Sequence, residues 1–180
     1  MKKCKLLYFI SEDEYFISHK LSQAINAKKN NFEVHVTTHF SKYKSTIRKY
    51  GFKTHSLVFD RKSINPISNL LELFSFIKII REVKPQIIKS FALKPILYAQ
   101  ISSIFFWKIK YINCVVGLGY LFLAKNLLTK IVKKIYILIL WLTNSKKNSI
   151  FIFQNNDDLN FFLKNNLCRK SKSKIIRGSG

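Results

Sequence analysis

The sequence predicts an α/β fold, a Rossmann-like parallel sheet with helices on both faces. Short apolar, strand-like runs alternate with helical patterns along the 180 residues, the order that builds βα units. Two of those runs, Leu6 to Ile10 and Tyr111 to Val116, are almost continuously apolar, as strands covered on both faces are. Gly117 and Gly119 follow the second run directly, where such folds bring backbone N–H groups to the carboxyl edge of the sheet.

Each element has its own signal. Lys5 to Ile10 reads as the first strand. Phe16, Ile17, Leu21, Ala24 and Ile25 then repeat at helical spacing, behind the acids Glu12, Asp13 and Glu14 that suit a helix start. Asn30-Asn31 ends that helix, and Phe32 to Thr37 is the second strand. Ser41 to Tyr50 reads as a short helix closed by Gly51 at the C′ position. Thr54 to Phe59 is the third strand. Pro66 occupies a first-turn position, and Ile67, Leu70, Leu71, Phe74, Ile77 and Ile80 predict an amphipathic helix ending near Lys84-Pro85. Gln86 to Ser90 is the fourth strand, and Lys94-Pro95 opens a helix through Ile101, Ile104 and Phe105. Tyr111 to Val116 is the fifth strand and Ser149 to Phe153 the sixth, with a helix from Asn126 to Asn144 between them. Asn156-Asp157-Asp158 caps a short helix reaching Asn165, and Lys174 to Arg177 is a last strand. One domain is expected over residues 1–177, with Gly178-Ser179-Gly180 as the start of a link to a second domain.

The formal charge is +23, from 32 Lys and Arg against 9 Asp and Glu. Such an excess favours a polyanionic neighbour: nucleic acid, an anionic membrane surface or a phosphorylated ligand. A Lys-, Asn- and Ile-rich residue usage set by base composition accounts for part of it. No acid occurs between Glu82 and Asp157, so that stretch is the more strongly cationic part. Cys4, Cys114 and Cys168 are odd in number and far apart, which suggests no disulfide framework and fits a reducing cytoplasm, and Cys4 and Cys114, in or beside strands, read as small core residues. No His or Cys pair stands at metal-ligand spacing. The apolar run Ile135 to Leu142 is far below the ~20 residues of a spanning helix.

The loops after the strands are the motifs of interest. They are Ser11-Glu12-Asp13-Glu14-Tyr15-Phe16-Ile17-Ser18-His19, Asp60-Arg61-Lys62-Ser63-Ile64-Asn65-Pro66, Lys94-Pro95, Gly117-Leu118-Gly119-Tyr120 and Phe153-Gln154-Asn155-Asn156-Asp157-Asp158. In this order, and followed by Gly178-Ser179-Gly180, they resemble the amino-terminal half of family 4 glycosyltransferases of the two-Rossmann-domain GT-B type. Within that family the likeness is to the bacterial branch that builds lipid-linked oligosaccharides, O-antigens and capsules. The resemblance implies an acceptor-receiving domain, peripheral on the inner face of the cytoplasmic membrane. It would act with a nucleotide-sugar donor and a lipid-linked saccharide acceptor in polysaccharide or lipopolysaccharide synthesis, without a metal or organic cofactor. The resemblance places the donor-gripping half beyond these residues, so the expectation is a gene fragment, a truncated product or one half of a split enzyme with a separate carboxy-terminal half. Ser90-Phe91-Ala92 and Val116 depart from the family, where His or Asn and Thr or Glu are common.

Asp13 and His19 are the candidate catalytic residues, either of which would serve as the base. For Asp13 and Glu12 the rival reading is an acid at a helix start; for His19 it is an exposed helix histidine. Glu12, Arg61, Lys94, Gly117, Gly119 and Tyr120 are candidates for binding the acceptor, the two cations toward a diphosphate and the glycines through backbone donors. Arg61 and Lys94 are alternatively solvated cations. His35 alternates with Val34 and Val36 and reads as structural, His39 and His55 as surface residues. In the helix from Asn126, the residues Leu128, Ile131, Ile135, Leu138 and Leu142 form an expected core stripe. Lys130, Lys133 and Lys134 fall opposite, in line with Ile137 and Trp141, which suits an anionic bilayer interface or a Trp packed on a neighbour. Two rival functions remain: a non-catalytic remnant or subunit binding a saccharide or partner, and a basic nucleic-acid-binding module. The absence of a helix-turn-helix, RNA-recognition or zinc pattern argues against the last.

Overall fold

A computed structural model of the chain describes residues 3–60, 63, 65–118, 127–143 and 148–177. Its strands are β1 (Cys4–Glu12), β2 (Phe32–His39), β3 (Lys53–Ser56), β4 (Ile87–Phe91), β5 (Lys110–Val115), β6 (Ser149–Phe153) and β7 (Ser173–Ile175). They form a sheet in the order β3-β2-β1-β4-β5-β6-β7, with β1–β2, β2–β3, β5–β6 and β6–β7 paired in parallel. This is the strand order of a doubly wound Rossmann-like fold, as the alternating pattern predicts. The chain divides into two compact units, Met1–Lys89 and Ser90–Gly180.

In the first unit β1 is buried at six successive positions, Leu6 to Ser11. Adjacent side chains of a strand point to opposite faces, so helices must cover both. Tyr8 meets Phe16 edge-on at 5.8 Å, within the helical segment that follows β1. That segment comprises α1 (Asp13–Tyr15), a π-helical turn (Phe16–Lys20) and α2 (Leu21–Lys29). On the other face Phe9 stacks on Phe76 at 4.1 Å. The helix α3 (Lys44–Lys49) ends at Gly51, whose φ of +77° is the left-handed conformation expected of a C′ glycine.

Phe76 belongs to α4 (Pro66–Val83), whose start is capped by Asn65 through its side-chain acceptor for the N–H groups of Ile67 and Ser68. The stripe expected to face the core does so only in part. Phe76, Ile79, Ile80 and Val83 are buried, whereas Ile67, Leu70, Leu71 and Phe74 are exposed. Apolar residues surround most of this helix, and the Phe9–Phe76 stack sets its rotation. The strand β3 is shorter than expected, although Leu57 N–H still donates to the Thr38 carbonyl at 3.0 Å. Beyond it Leu57 and Phe59 are buried and Val58 is 84% exposed.

His55 is not the surface residue its spacing suggested. The register opposes His35 to Lys53 and Thr37 to His55, so the two histidines are diagonal neighbours on one face of β2–β3. Their rings stack at 5.1 Å, with His35 Nδ1 2.8 Å from His55 Nε2. His35 Nε2 lies 2.9 Å from the Glu33 carboxylate, which also accepts from Lys53 Nζ at 2.6 Å. Burial lowers both imidazole pKa values, to about 4 for His55, where the charges of His35 and Lys53 add to the effect. His39 is exposed, as expected.

The second unit contains α5 (Leu93–Phe105), α6 (Leu127–Thr143), α7 (Asn156–Lys164) and a 3₁₀ turn (Lys170–Lys172). Its core joins Val115, Phe151 and Phe153 of the sheet to Ile96 of α5, Tyr136 and Leu140 of α6, and Phe162 of α7. Cys114 and Cys168 are buried and Cys4 is partly buried, all as free thiols. The expected core stripe of α6 is reversed: Ile131, Ile135, Leu138 and Leu142 are exposed, and Tyr136, Leu140 and Thr143 face inward. Leu128 lies outside the residues whose side chains are described. Asn155, one position earlier than the residues read as the cap, caps α7 by accepting from Asp158 N–H at 2.7 Å.

Ala92 joins β4 to α5 at φ +70° and ψ 165°, a region occupied almost only by glycine. Ala92→Gly is expected to raise stability by about 1 kcal/mol, read as a higher urea midpoint with unchanged m-value. The histidine pair gives a pH signature. A folded-state pKa below the unfolded ~6.5 makes the neutral form stabilising above that value. Stability is then lost as pH falls from there toward about 4. The urea midpoint of the wild type should therefore fall more steeply between these limits than that of His55→Gln.

Candidate functional site

Each unit directs the carboxyl ends of its parallel strands into loops, where α/β folds place ligands. In the first unit, β1 ends at Glu12, which is exposed, and α1 begins directly at Asp13, which is 1% exposed. Asp13 Oδ2 accepts from the backbone N–H groups of Ser41, Lys42 and Tyr43 at 2.8–3.0 Å, and Oδ1 accepts from Ser41 Oγ at 2.8 Å. Burial alone would raise the carboxyl pKa, but the hydrogen bonds from Tyr43, Ser41 and Lys42 outweigh it and the net shift is downward. This group anchors the loop after β2. A carboxylate so occupied is a poor proton acceptor, which counts against Asp13 as the base.

His19 lies in the π-helical turn, an irregularity common at functional sites. It is exposed and stacks on Tyr15 at 4.6 Å. Ser18 Oγ donates to the Glu14 carbonyl at 2.8 Å and lies 2.6 Å from His19 Nδ1. With the hydroxyl proton directed at the carbonyl, the tautomer that suits this contact is the one in which Nδ1 donates to Ser18 and Nε2 is the acceptor.

The loop that Asp13 holds leads into a shallow pocket lined by Ser41, Lys42, Lys44, Ser45, Arg48 and Lys49. Two of these cations are pinned by neutral hydroxyls: Lys44 Nζ to Ser56 Oγ and Arg48 Nε to Thr54 Oγ1, both at 2.8 Å. Among the described residues no acid lines the pocket. The sequence motifs of interest lie in the loops after β1, β3, β4, β5 and β6 and do not include this one. The spacing Lys44/Arg48 and Ser45/Lys49, which puts each pair on one helix face, was the available signal.

In the second unit Lys94 is in the first turn of α5, half-buried, with its ammonium 5.8 Å from the Tyr98 ring centroid. Gly117 has φ +114°, and among the described residues a Cβ there would meet nothing within 4 Å, so its need for glycine is conformational. Arg61, Gly119 and Tyr120, also expected at the site, lie outside the described residues. Among the described residues no three His, Cys, Asp or Glu are grouped to hold a metal ion.

The anchoring role of Asp13 is measurable. Asp13→Ala leaves three backbone donors without their acceptor and should cost roughly 3 kcal/mol of stability by urea unfolding. The lowered pKa makes this contribution present above the ordinary carboxylate range and lost as pH falls through it, so wild type and variant should converge in acid.

Comparison with known proteins supplies the family. No curated protein sequence matches the chain significantly. Among solved structures it is similar to a glycosyltransferase from Rickettsia africae ESF-5, with TM-score 0.64 and 14% identity over 98% of this chain and 43% of that one. A UDP-N-acetylglucosamine 2-epimerase from Rickettsia bellii gives TM-score 0.66 and 12% identity over 98% and 45%. Anabaena HepE, solved with UDP and glucose, gives 0.60 and 11% over 97% and 44%. The chain thus spans less than half the length of these structures, and at such identities the likeness establishes the fold. A family model described as glycosyl transferase 4-like matches residues 5–155, and the chain belongs to that family.

Proposed function

We propose that the chain is the acceptor-side domain of a glycosyltransferase. It would move a sugar from a nucleotide-sugar donor to a hydroxyl of a lipid-linked saccharide in cell-surface polysaccharide or lipopolysaccharide synthesis, at the inner face of the cytoplasmic membrane. The observation that carries the reading is the family match over residues 5–155. The cationic pocket after β2 adds to it: Lys42, Lys44, Arg48 and Lys49 without an acid suit the diphosphate of a lipid-linked acceptor. The same fold serves epimerases, and the family match favours transfer over epimerisation.

In this reading His19 Nε2 accepts the proton of the attacking hydroxyl, and Asp13 is a positioning residue that holds the pocket loop. Within the second unit, Lys94 and the backbone N–H of Gly117 are proposed on their own account as contacts for an anionic group. Glu12, Arg61, Gly119 and Tyr120 are further proposed contacts for the acceptor. Donor binding calls for a second domain, supplied by the same polypeptide or by a separate one.

The test combines the purified chain with a carboxy-terminal partner half, a labelled nucleotide sugar and a polyprenyl-diphosphate-linked saccharide. Sugar transfer is expected, and His19→Ala should lower kcat by about 10²-fold or more with KM nearly unchanged. Absence of transfer in the complete mixture, together with salt-sensitive binding to any DNA duplex, would replace this reading with the nucleic-acid one.

A further inference from the structure

The outward face of α6 is unusual for a water-facing surface. Ile131, Ile135, Leu138, Trp141 and Leu142 are each 48–57% exposed. At 3.6 residues per turn they share one sector of roughly 140° with Lys130 and Lys134. Both lysines are exposed, and with Trp141 they form one border of the sector. The opposite face is committed to the core through Tyr136 and Leu140. Isolated exposed apolar residues are ordinary, but five on a single helix face mark a contact surface.

We infer that this face of α6 docks on an anionic lipid bilayer. It would lie flat, with the four aliphatic side chains entering the acyl boundary, Trp141 at the interface and Lys130 and Lys134 among the headgroups. Charge selects this occupant over a second copy. A symmetric pairing through this face would bring its lysines near those of the other copy, and the sequence has no acid between Glu82 and Asp157 to offset them. An anionic surface opposes them directly. The helix is placed for docking and not for crossing, since among the described residues none is long and apolar enough to span a membrane. The inference deepens the proposed function by naming the surface that meets the lipid, and rests on it for the leaflet concerned. Its test uses no sugar, so the two fail separately.

The experiment is vesicle co-flotation of the full chain with phosphatidylcholine alone or mixed with phosphatidylglycerol. It is paired with tryptophan fluorescence in a Trp107→Phe background, where Trp141 is the remaining tryptophan. Binding to the mixed vesicles is expected, with a blue shift of Trp141 and quenching by brominated acyl chains. Replacing Ile135 and Leu138 by Ser should weaken partitioning by about tenfold or more. Replacing Lys130 and Lys134 by Ser should weaken it by about fivefold per lysine on anionic vesicles only. Because these side chains face outward, the thermal midpoints should stay at the wild-type value. The inference is overturned by no binding to anionic vesicles or by binding without a Trp141 response. It is also overturned by a dimer in light scattering that the Ile135/Leu138 variant dissolves, or by a fall in that variant's midpoint, which would show the face to be packed.

Discussion

Burial of β1 on both of its faces is the constraint from which the rest follows. Six successive residues without access to water cannot be satisfied by one layer of cover. Phe16 and Phe76 close the two sides. Once helices are required on both sides of a parallel strand, each must return antiparallel to it. Loops then collect at the strand's carboxyl end, and the candidate residues of this unit inherit their position from that geometry.

Few acids compensate the positive charge, and several are bound up inside the structure. Asp13 holds the loop after β2, and Glu33 engages His35 and Lys53. Glu72, buried, accepts from Asp60 N–H at 3.1 Å, and Asp158 lies within the cap of α7. These carboxylates secure turns and histidines and leave lysines facing outward. The excess charge of the sequence thereby becomes a surface property available to phosphates and lipid headgroups.

The alternation of elements was legible because burial on two faces writes itself as continuous apolar runs and burial of one helix face as a 3.6-residue period. The rotations of α4 and α6 were not legible. Both helices carry apolar residues around most of their circumference, so periodicity identifies a stripe without saying which sector packs. The deciding contacts, Phe76 on Phe9 and Tyr136 in the core of the second unit, come from residues distant in sequence. The pairing of His35 with His55 depended likewise on the register of β2 with β3. At the candidate site, residue type identified Asp13 and His19 as polar groups near a strand end. Only the tertiary fold separates them, because the amides that occupy Asp13 lie some thirty positions away along the chain.

The π-helical turn Phe16–Lys20 phases everything behind it. A π turn holds one residue more than regular α-helical winding needs, and each residue represents about 100° of rotation. Were the same residues wound as regular α-helix, the additional position would swing α2 by about that angle. Ala24, fully enclosed at present, would leave its place against the sheet. The wide turn is therefore what lets this length of chain and the enclosure of Ala24 coexist.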